Sequence, residues 1–223
     1  MSCCTLTGYR TIFGGKTVER EARRYRRKGL TGSARWLLHA LTGEGVSEAS
    51  VLEVGGGIGG LQIELLKAGA AHATNVEIID SYEAAAGALI AEHRVGGQVE
   101  RHIADFAEHP HEMPAADIVI MHRVICCYPD PDALMAAACD QTRDRVAITI
   151  PRQAWWVKLG FASMNAWFRL RRVAFKAYVH PLDRMLDVAA SRDFHTTHHE
   201  RDRFWESIVL QRRTPAMRSA TAR

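Results

Sequence analysis

The stretch VLEVGGGIGG, from Val51 to Gly60, constrains the fold of this chain more than any other part of its sequence. The apolar residues before Gly55 predict a short buried strand, and the apolar spacing from Leu61 to Leu66 predicts a helix that ends near Gly69. The glycines between them allow a tight turn at which a ligand can approach bare backbone, because a Cβ atom there would clash. The helix then offers unpaired N–H groups and the positive end of its dipole to a negatively charged group.

An acidic residue stands two positions before the first glycine of this turn. Gly55, Gly57 and Gly60 fit the G-x-G-x-x-G pattern of dinucleotide-binding turns, which alone is weak evidence. Glu53 at the end of the predicted strand would repel a pyrophosphate, whereas a cationic amino-acid ligand would tolerate it. The segment resembles the first motif of the class I S-adenosylmethionine (SAM) methyltransferases, an acid followed by G-x-G-x-G, matched by Glu53, Gly55, Gly57 and Gly59. A nicotinamide enzyme and a glycine turn without a ligand are the alternatives.

The resemblance also implies roles for acidic residues that follow the next two predicted strands. The second strand, HATNVEII, contains Glu77, to which the resemblance assigns the ribose hydroxyls of SAM; a surface carboxylate is the alternative. The third strand, near Val99 to Ala104, leads into Asp105 and Phe106, to which it assigns the adenine amino group and the adenine ring. The cofactor-binding residues expected for SAM, and for its product S-adenosylhomocysteine, are Glu53, Gly55, Gly56, Gly57, Gly59, Glu77, Ile78, Asp105, Phe106 and His122.

The loop after the fourth strand is expected to face the transferred methyl group. ADIVIM is a continuous apolar run that suits a buried parallel strand ending at His122, and Asp130 before Pro131 predicts the start of the next helix. Within the loop, His122 and Tyr128 are the candidate catalytic residues, as base or orienting donor, and Arg123 and Tyr128 are the candidate substrate contacts. The loop lacks the motifs of nucleic-acid base methylation, so DNA is not an expected partner.

These elements predict an α/β fold: a doubly wound, mostly parallel seven-stranded sheet of the Rossmann-like methyltransferase type. Residues 1–45 are expected to form an N-terminal helical cover, in which Ser33 caps the second helix. Residues 46–223 are expected to form the SAM-dependent methyltransferase domain, with a helical lid inserted at about residues 152–180 and two antiparallel strands at its end. The expected activity is methyl transfer to a small-molecule acceptor, an aromatic or carboxylate-bearing oxygen compound.

The predicted lid insert interleaves aromatic and basic residues. Such a segment suits a planar apolar ligand with carboxylates, peripheral contact with a membrane surface, or a lid that packs on its own core. Together with Tyr128-Pro129 and His180-Pro181, the insert looks like that of the magnesium-protoporphyrin O-methyltransferases. The oligomeric state stays open.

Composition sets further limits and leaves two rival functions. The chain of 223 residues has 47% hydrophobic residues and lacks a signal-peptide core, which predicts a cytoplasmic protein. Its five cysteines argue against a disulfide framework. Cys3, Cys4, Cys126 and Cys127 could instead bind a soft acceptor such as trivalent arsenic, although buried cysteines more often pack as small apolar groups. The other rival is a SAM-binding or RNA-binding module without turnover, which would use the basic helix from Thr17 to Lys28.

Three histidines near the end of the chain raise the question of a metal site. On a regular strand His195 and His199 would share one face and His198 would point to the other. No carboxylate or thiolate is expected to converge with them, so the sequence favours a solvated edge strand and no metal.

Overall fold

In the described part of the chain, seven strands form one sheet in the order β3-β2-β1-β4-β5-β7-β6. The structure, a computed structural model, describes residues 5–213. Strands β3, β2, β1, β4 and β5 are parallel, and β7 runs antiparallel to both β5 and β6. The strands are β1 (Ser50–Val54), β2 (His72–Glu77), β3 (Val99–Ile103), β4 (Ala116–His122), β5 (Thr142–Pro151), β6 (Phe194–Arg201) and β7 (Trp205–Arg212). This confirms the predicted fold class.

Within residues 5–213, eight α-helices surround the sheet. Their ends follow the local signals: α2 ends where Gly29 takes a positive φ of 62°, and the Asp130 side chain accepts a hydrogen bond from the Ala133 amide (3.0 Å) at the start of α6. The helices are α1 (Leu6–Ile12), α2 (Lys16–Lys28), α3 (Ser33–Gly43), α4 (Gly60–Lys67), α5 (Glu83–His93), α6 (Pro131–Asp140), α7 (Trp155–Leu170) and α8 (Leu182–Ala190).

The core lies on both faces of the sheet. Alternate residues of β4 enter opposite apolar clusters, with Val119 and Met121 on one side and Ile118 and Ile120 on the other. Burial on both faces explains why this strand reads as a continuous apolar run rather than an alternating one. Helices α6 and α8 cover the first face, and α3 and α4 cover the second. Helix α3 therefore packs into the same core as the sheet. The predicted boundary at residue 45, between an N-terminal cover and the methyltransferase domain, stays a prediction.

Two local expectations were wrong. The N-cap of α3 is Gly32, not Ser33, and Ser33 is buried with its hydroxyl turned toward the loop after β4. A β-bulge in β6 between Thr196 and His198 shifts the register, so His195 and His198 fall on one face and His199 on the other. Within the described residues, no group of three or more His, Cys, Asp or Glu side chains is placed to hold a metal ion.

The predicted insert is a helix, α7, followed by an extended segment, residues 173–178. The Asn165 side chain ties the two together, because its amide donates to the Ala177 carbonyl (2.7 Å) and its oxygen accepts from the Ala177 amide (2.9 Å). The rings of Phe168 and Phe175 meet edge to face, and Phe175 contacts Tyr9 of α1 in the same way. Over residues 5–213, no helix has both the length and the apolar character needed to cross a bilayer.

Replacing Leu41 of α3 by alanine is expected to lower the free energy of unfolding by about 2–5 kcal/mol, since its fully buried side chain would leave a cavity against the sheet. Urea denaturation measures the change. His39→Ala on the exposed side of the same helix is the matched control, with an expected change within about 0.5 kcal/mol. Equal losses for both variants would contradict the packing described for α3.

Candidate active site

A cavity of about 490 Å³ lies at the carboxyl ends of β1, β2 and β4. Strand β1 pairs with β2 on one side and β4 on the other, so the strand order reverses direction here. A crevice at such a switch point is the usual ligand site of an open α/β sheet. The lining residues are Tyr9, Phe13, Thr17, Arg20, Glu21, Arg24, Glu53, Gly55, Gly56, Gly57, Glu77, Ile78, Ile79, Tyr82, His122, Arg123, Val124 and Cys127.

The glycine turn forms the floor of the cavity and has no room for side chains. Gly55 has a φ of 63°, and a Cβ atom there would lie 2.5 Å from the Val124 side chain. A Cβ atom on Gly56 would lie 2.1 Å from the Asn75 side-chain nitrogen. Gly57 and Gly59 also adopt positive φ, and α4 begins directly after them. Gly55, Gly56 and Gly57 line the cavity just before the amino end of α4.

Two buried carboxylates lie at this floor. Glu77 accepts a hydrogen bond from the Gly57 amide, and Glu53 accepts one from the Gln62 amide (3.3 Å). Burial away from water raises the pKa of Glu77 to about 7 and the pKa of Glu53 to about 8. The positive charge of Arg101 lowers the pKa of both carboxyls and so offsets part of this rise. Its guanidinium also donates to the Gly57 carbonyl (3.1 Å).

Asp105 and Phe106 lie beside a second, smaller cavity of about 60 Å³ that Gly55, Ile78, Val124 and Cys127 connect to the first. The Tyr128 hydroxyl donates to the Asp105 carboxylate (3.1 Å). Burial and the nearby Asp105 charge raise the pKa of Tyr128. Phe106 is buried in the core with its ring at the cavity wall. Tyr128 thus lies with Asp105, while His122 and Arg123 line the larger cavity.

His122, Arg123 and Ser33 form a hydrogen-bonded group at the loop after β4. The Ser33 hydroxyl lies 3.0 Å from His122 Nε2 and accepts a hydrogen bond from Arg123 Nη2 (3.1 Å). The Arg123 guanidinium stacks over the Trp205 ring, 4.3 Å from its centroid. Burial and the neighbouring guanidinium lower the pKa of His122 to about 3. The imidazole is therefore uncharged near neutral pH.

The N-terminal helices complete the cavity with side chains that sequence reasoning did not select. Arg20, Glu21 and Arg24 of α2 face the cavity together, while Tyr9 of α1 and Phe13 directly after it line its apolar side. The spacing of Arg20 and Arg24 is the one signal that could have shown this, because residues four apart share a helix face. The N-terminal helical cover over residues 1–45 stays a prediction.

The remaining basic charge of α2 faces away from the cavity and is partly paired. Arg26 forms a bidentate contact with Glu92 of α5 (2.7 and 2.9 Å), and Arg23 lies 3.8 Å from Glu19. Lys16, Arg27 and Lys28 of the same helix are exposed, so α2 also keeps a basic outer surface.

The adjacent thiols of Cys126 and Cys127 lie 3.8 Å apart near the cavity. Cys127 lines the cavity, whereas Cys126 is buried and its thiol donates to the Arg123 carbonyl (3.4 Å). Cys3 and Cys4 lie outside the described residues. Within the described part of the chain, the metalloid alternative therefore depends on this pair alone.

Comparisons with known proteins agree with this geometry. The chain resembles the crystal structure of magnesium protoporphyrin IX methyltransferase from Synechocystis PCC 6803 with bound S-adenosylhomocysteine, with a TM-score of 0.69 and 18% identity over 92% of this chain and 93% of that one. An O-methyltransferase family protein from Burkholderia thailandensis also gives a TM-score of 0.69, with 15% identity over 95% of this chain and 64% of that one. At these identities the likeness shows the fold.

A third similar structure is a protein of Galdieria sulphuraria described as a putative sarcosine dimethylglycine methyltransferase, with a TM-score of 0.63 and 13% identity over 89% of this chain and 91% of that one. No curated protein sequence matches the chain significantly. The model of the methyltransferase domain family matches residues 22–202, which is most of the chain. The chain therefore belongs to the methyltransferase domain family and is an S-adenosylmethionine-dependent enzyme of the class I fold.

Proposed function

We propose that the enzyme transfers a methyl group from SAM to an oxygen atom of a small acceptor that is aromatic or bears a carboxylate. The observation that carries the proposal is a single cavity in which the glycine turn and Glu77 meet the His122 and Arg123 loop. The first pair provides the contacts that a SAM molecule needs, and the second provides an anion-binding group beside it.

The residues present fit SAM. Gly55 and Gly57 line the cavity with backbone alone, and the Glu77 carboxylate at the end of β2 can accept hydrogen bonds from ribose hydroxyls. Asp105 lies at the smaller cavity, where it can accept a hydrogen bond from an adenine amino group, and Ile78 and Phe106 supply apolar walls. Tyr128 then has a positioning role, because its hydroxyl already holds the Asp105 carboxylate.

When bound, SAM would supply an electrophilic methyl group on its sulfonium, with the thioether of S-adenosylhomocysteine as the leaving group when an acceptor oxygen attacks the methyl carbon in line. The chain's own task is to hold the acceptor in line and exclude water. Arg123 is placed to pair with an acidic acceptor, and its stacking on Trp205 fixes the guanidinium. His122 with a pKa of about 3 is a weak base at neutral pH. We therefore assign His122 to orienting the acceptor through a hydrogen bond.

This assignment favours an acceptor oxygen that is already ionised. A carboxylate needs no base before it attacks a methyl group, whereas a phenol must lose a proton. Arg20 and Arg24 add positive charge on the α2 side of the cavity, where burial raises the pKa of the neighbouring Glu21 carboxyl. A small aromatic carboxylic acid is thus the acceptor class that fits best.

Calorimetric titration with S-adenosylhomocysteine tests the cofactor site. Glu77→Gln is expected to weaken binding by about tenfold or more, since it replaces a charged hydrogen-bond acceptor by a neutral one. Glu100→Gln, on the exposed side of the neighbouring strand β3, is the matched control and should bind like the wild type. Binding of NADH in place of S-adenosylhomocysteine would overturn the assignment.

Cofactor binding is also expected to release protons near neutral pH. At pH 6 the Glu77 carboxyl, with a pKa of about 7, is largely protonated, and ribose hydroxyls bind better to its ionised form. The affinity should therefore rise as the pH increases through about 7 and level off above it. Calorimetry at pH 6 and pH 9 in buffers of different ionisation enthalpy measures the released protons.

The same pKa has a consequence for the ligand-free protein. Because the folded-state pKa of Glu77 lies above the usual 4.5, the free energy of unfolding should fall as the pH rises through about 7. Because glutamine does not titrate, Glu77→Gln should abolish the contribution of this residue to the proton release on cofactor binding. It should also abolish its contribution to the decrease of the free energy of unfolding with pH. An affinity that does not change with pH would contradict the role given to Glu77.

Steady-state kinetics with an aromatic carboxylic acid as acceptor, and inhibition by its methyl ester, the expected product, test the acceptor class. Arg123→Gln is expected to raise KM for the acid by about tenfold or more, since it removes a charge-assisted pair, and to leave the inhibition constant of the uncharged ester unchanged. Arg27→Gln, which lies outside the cavity on α2, is the control. Equal losses for the acid and the ester in Arg123→Gln would contradict an anion-binding Arg123. Unchanged affinity for S-adenosylhomocysteine in both variants verifies that the cofactor site is intact.

A further inference from the structure

Helix α7 is apolar on two opposite faces, and the fold uses one of them. Of its 16 residues, all of which the structure describes, Val157 alone is buried. Phe161, Met164 and Phe168 on the same side pack against the cluster around Tyr9. An apolar surface remains on the other side, which is unusual for a helix at the surface of a globular protein.

The outer face carries large apolar side chains in a regular stripe. Trp155 is 76% exposed, Leu159 is 59% exposed and Leu170 is 74% exposed. These residues fall at positions i, i+4 and i+15, with Ala162 and Ala166 between them at i+7 and i+11, so they lie along one side of the helix. Trp167, beside the stripe near its far end, is 54% exposed. Each end of the helix therefore presents an exposed tryptophan.

The stripe is surrounded by positive charge. Residues 152–181 contain six arginines and lysines and no aspartate or glutamate. Lys158 and Arg169 lie on one edge of the stripe, and Arg171 and Arg172 follow directly after the helix, all four exposed. The Arg171 guanidinium stacks on the Trp167 ring, 4.7 Å from its centroid. A surface with tryptophan and leucine at its centre and cations at its rim matches the layered chemistry of an anionic bilayer surface.

We propose that the outer face of α7 docks on the surface of an anionic lipid bilayer. The helix would lie parallel to the membrane, with Trp155, Leu159 and Leu170 among the acyl chains and the four flanking cations at the headgroup phosphates. A second copy of the chain fits this face less well. Two such faces in contact would bring their cations together, and residues 152–181 offer no carboxylate to neutralise them.

The docking face is connected to the active site through few contacts. Phe168 on the inner side of α7 contacts Phe175, which contacts Tyr9 and Phe13 at the cavity wall. The Tyr9 hydroxyl in turn donates to the Cys127 carbonyl (2.6 Å). A membrane beneath α7 would therefore lie close to the apolar wall of the cavity.

Vesicle flotation with the full chain tests the proposal. Unilamellar vesicles of 30% phosphatidylserine in phosphatidylcholine are compared with vesicles of phosphatidylcholine alone. The wild type is expected to float with the anionic vesicles and to be released by salt. Trp155→Ser, Leu159→Ser and Leu170→Ser in combination, and separately Arg169→Gln, Arg171→Gln and Arg172→Gln in combination, should each reduce the bound fraction by about tenfold.

The matched control is Ile103→Ser, which removes an exposed large apolar side chain from the edge strand β3, outside α7, and should bind vesicles like the wild type. Retained affinity for S-adenosylhomocysteine shows that each variant is folded. Bromine-labelled acyl chains should quench tryptophan fluorescence in the wild type.

Absence of binding to anionic vesicles, or binding that survives both sets of substitutions, would overturn the proposal. So would a wild-type dimer in sedimentation that the serine substitutions convert to monomer, because the face would then join two copies of the chain.

Discussion

The contact between the glycine turn after β1 and the loop after β4 is the constraint on which the rest of the site depends. The backbone at Gly55 lies so close to Val124 that even one carbon atom would separate them. Because β1 pairs with β4 in parallel, the two loops emerge at the same edge of the sheet. Their close approach sets where Glu77 meets the turn and how far His122 and Arg123 lie from it. Glu77 reaches the turn from the neighbouring strand β2, which pairs with β1 on its other side.

Charges of both signs line the cavity. Glu53 and Glu77 are buried at the floor, where low hydration raises the pKa of each. Arg123, stacked on Trp205, and Arg20 and Arg24 of α2 bring positive charge to the same cavity, with Glu21 among them. A cationic, hydroxyl-bearing cofactor suits the buried acids, and an anionic acceptor suits the arginines.

The helices outside the sheet have two kinds of surface. Helix α3 buries Leu37 and Leu41 against the sheet and has an exposed outer side, as expected of a surface helix. Helix α7 instead packs one apolar side on α1 and leaves a second apolar side open. A large exposed apolar surface lowers the solubility of a protein, and such surfaces often mark a site of interaction with a partner or a membrane. Bilayer docking is the use that the surrounding cations favour.

Sequence alone determined the parallel sheet, the glycine turn and the acids at Glu53, Glu77 and Asp105, because these follow from local periodicity and from residues next to each other in the chain. It also located the start of α6 at Pro131 from the Asp130 cap. The tertiary structure alone decided that Ser33 contacts His122 rather than capping α3, since the two are 89 positions apart. It likewise decided the faces of His195 and His199, because a bulge depends on the register with β7. Local patterns fix what each segment forms, but contacts between distant segments depend on how the whole chain packs, and no short-range pattern contains that information.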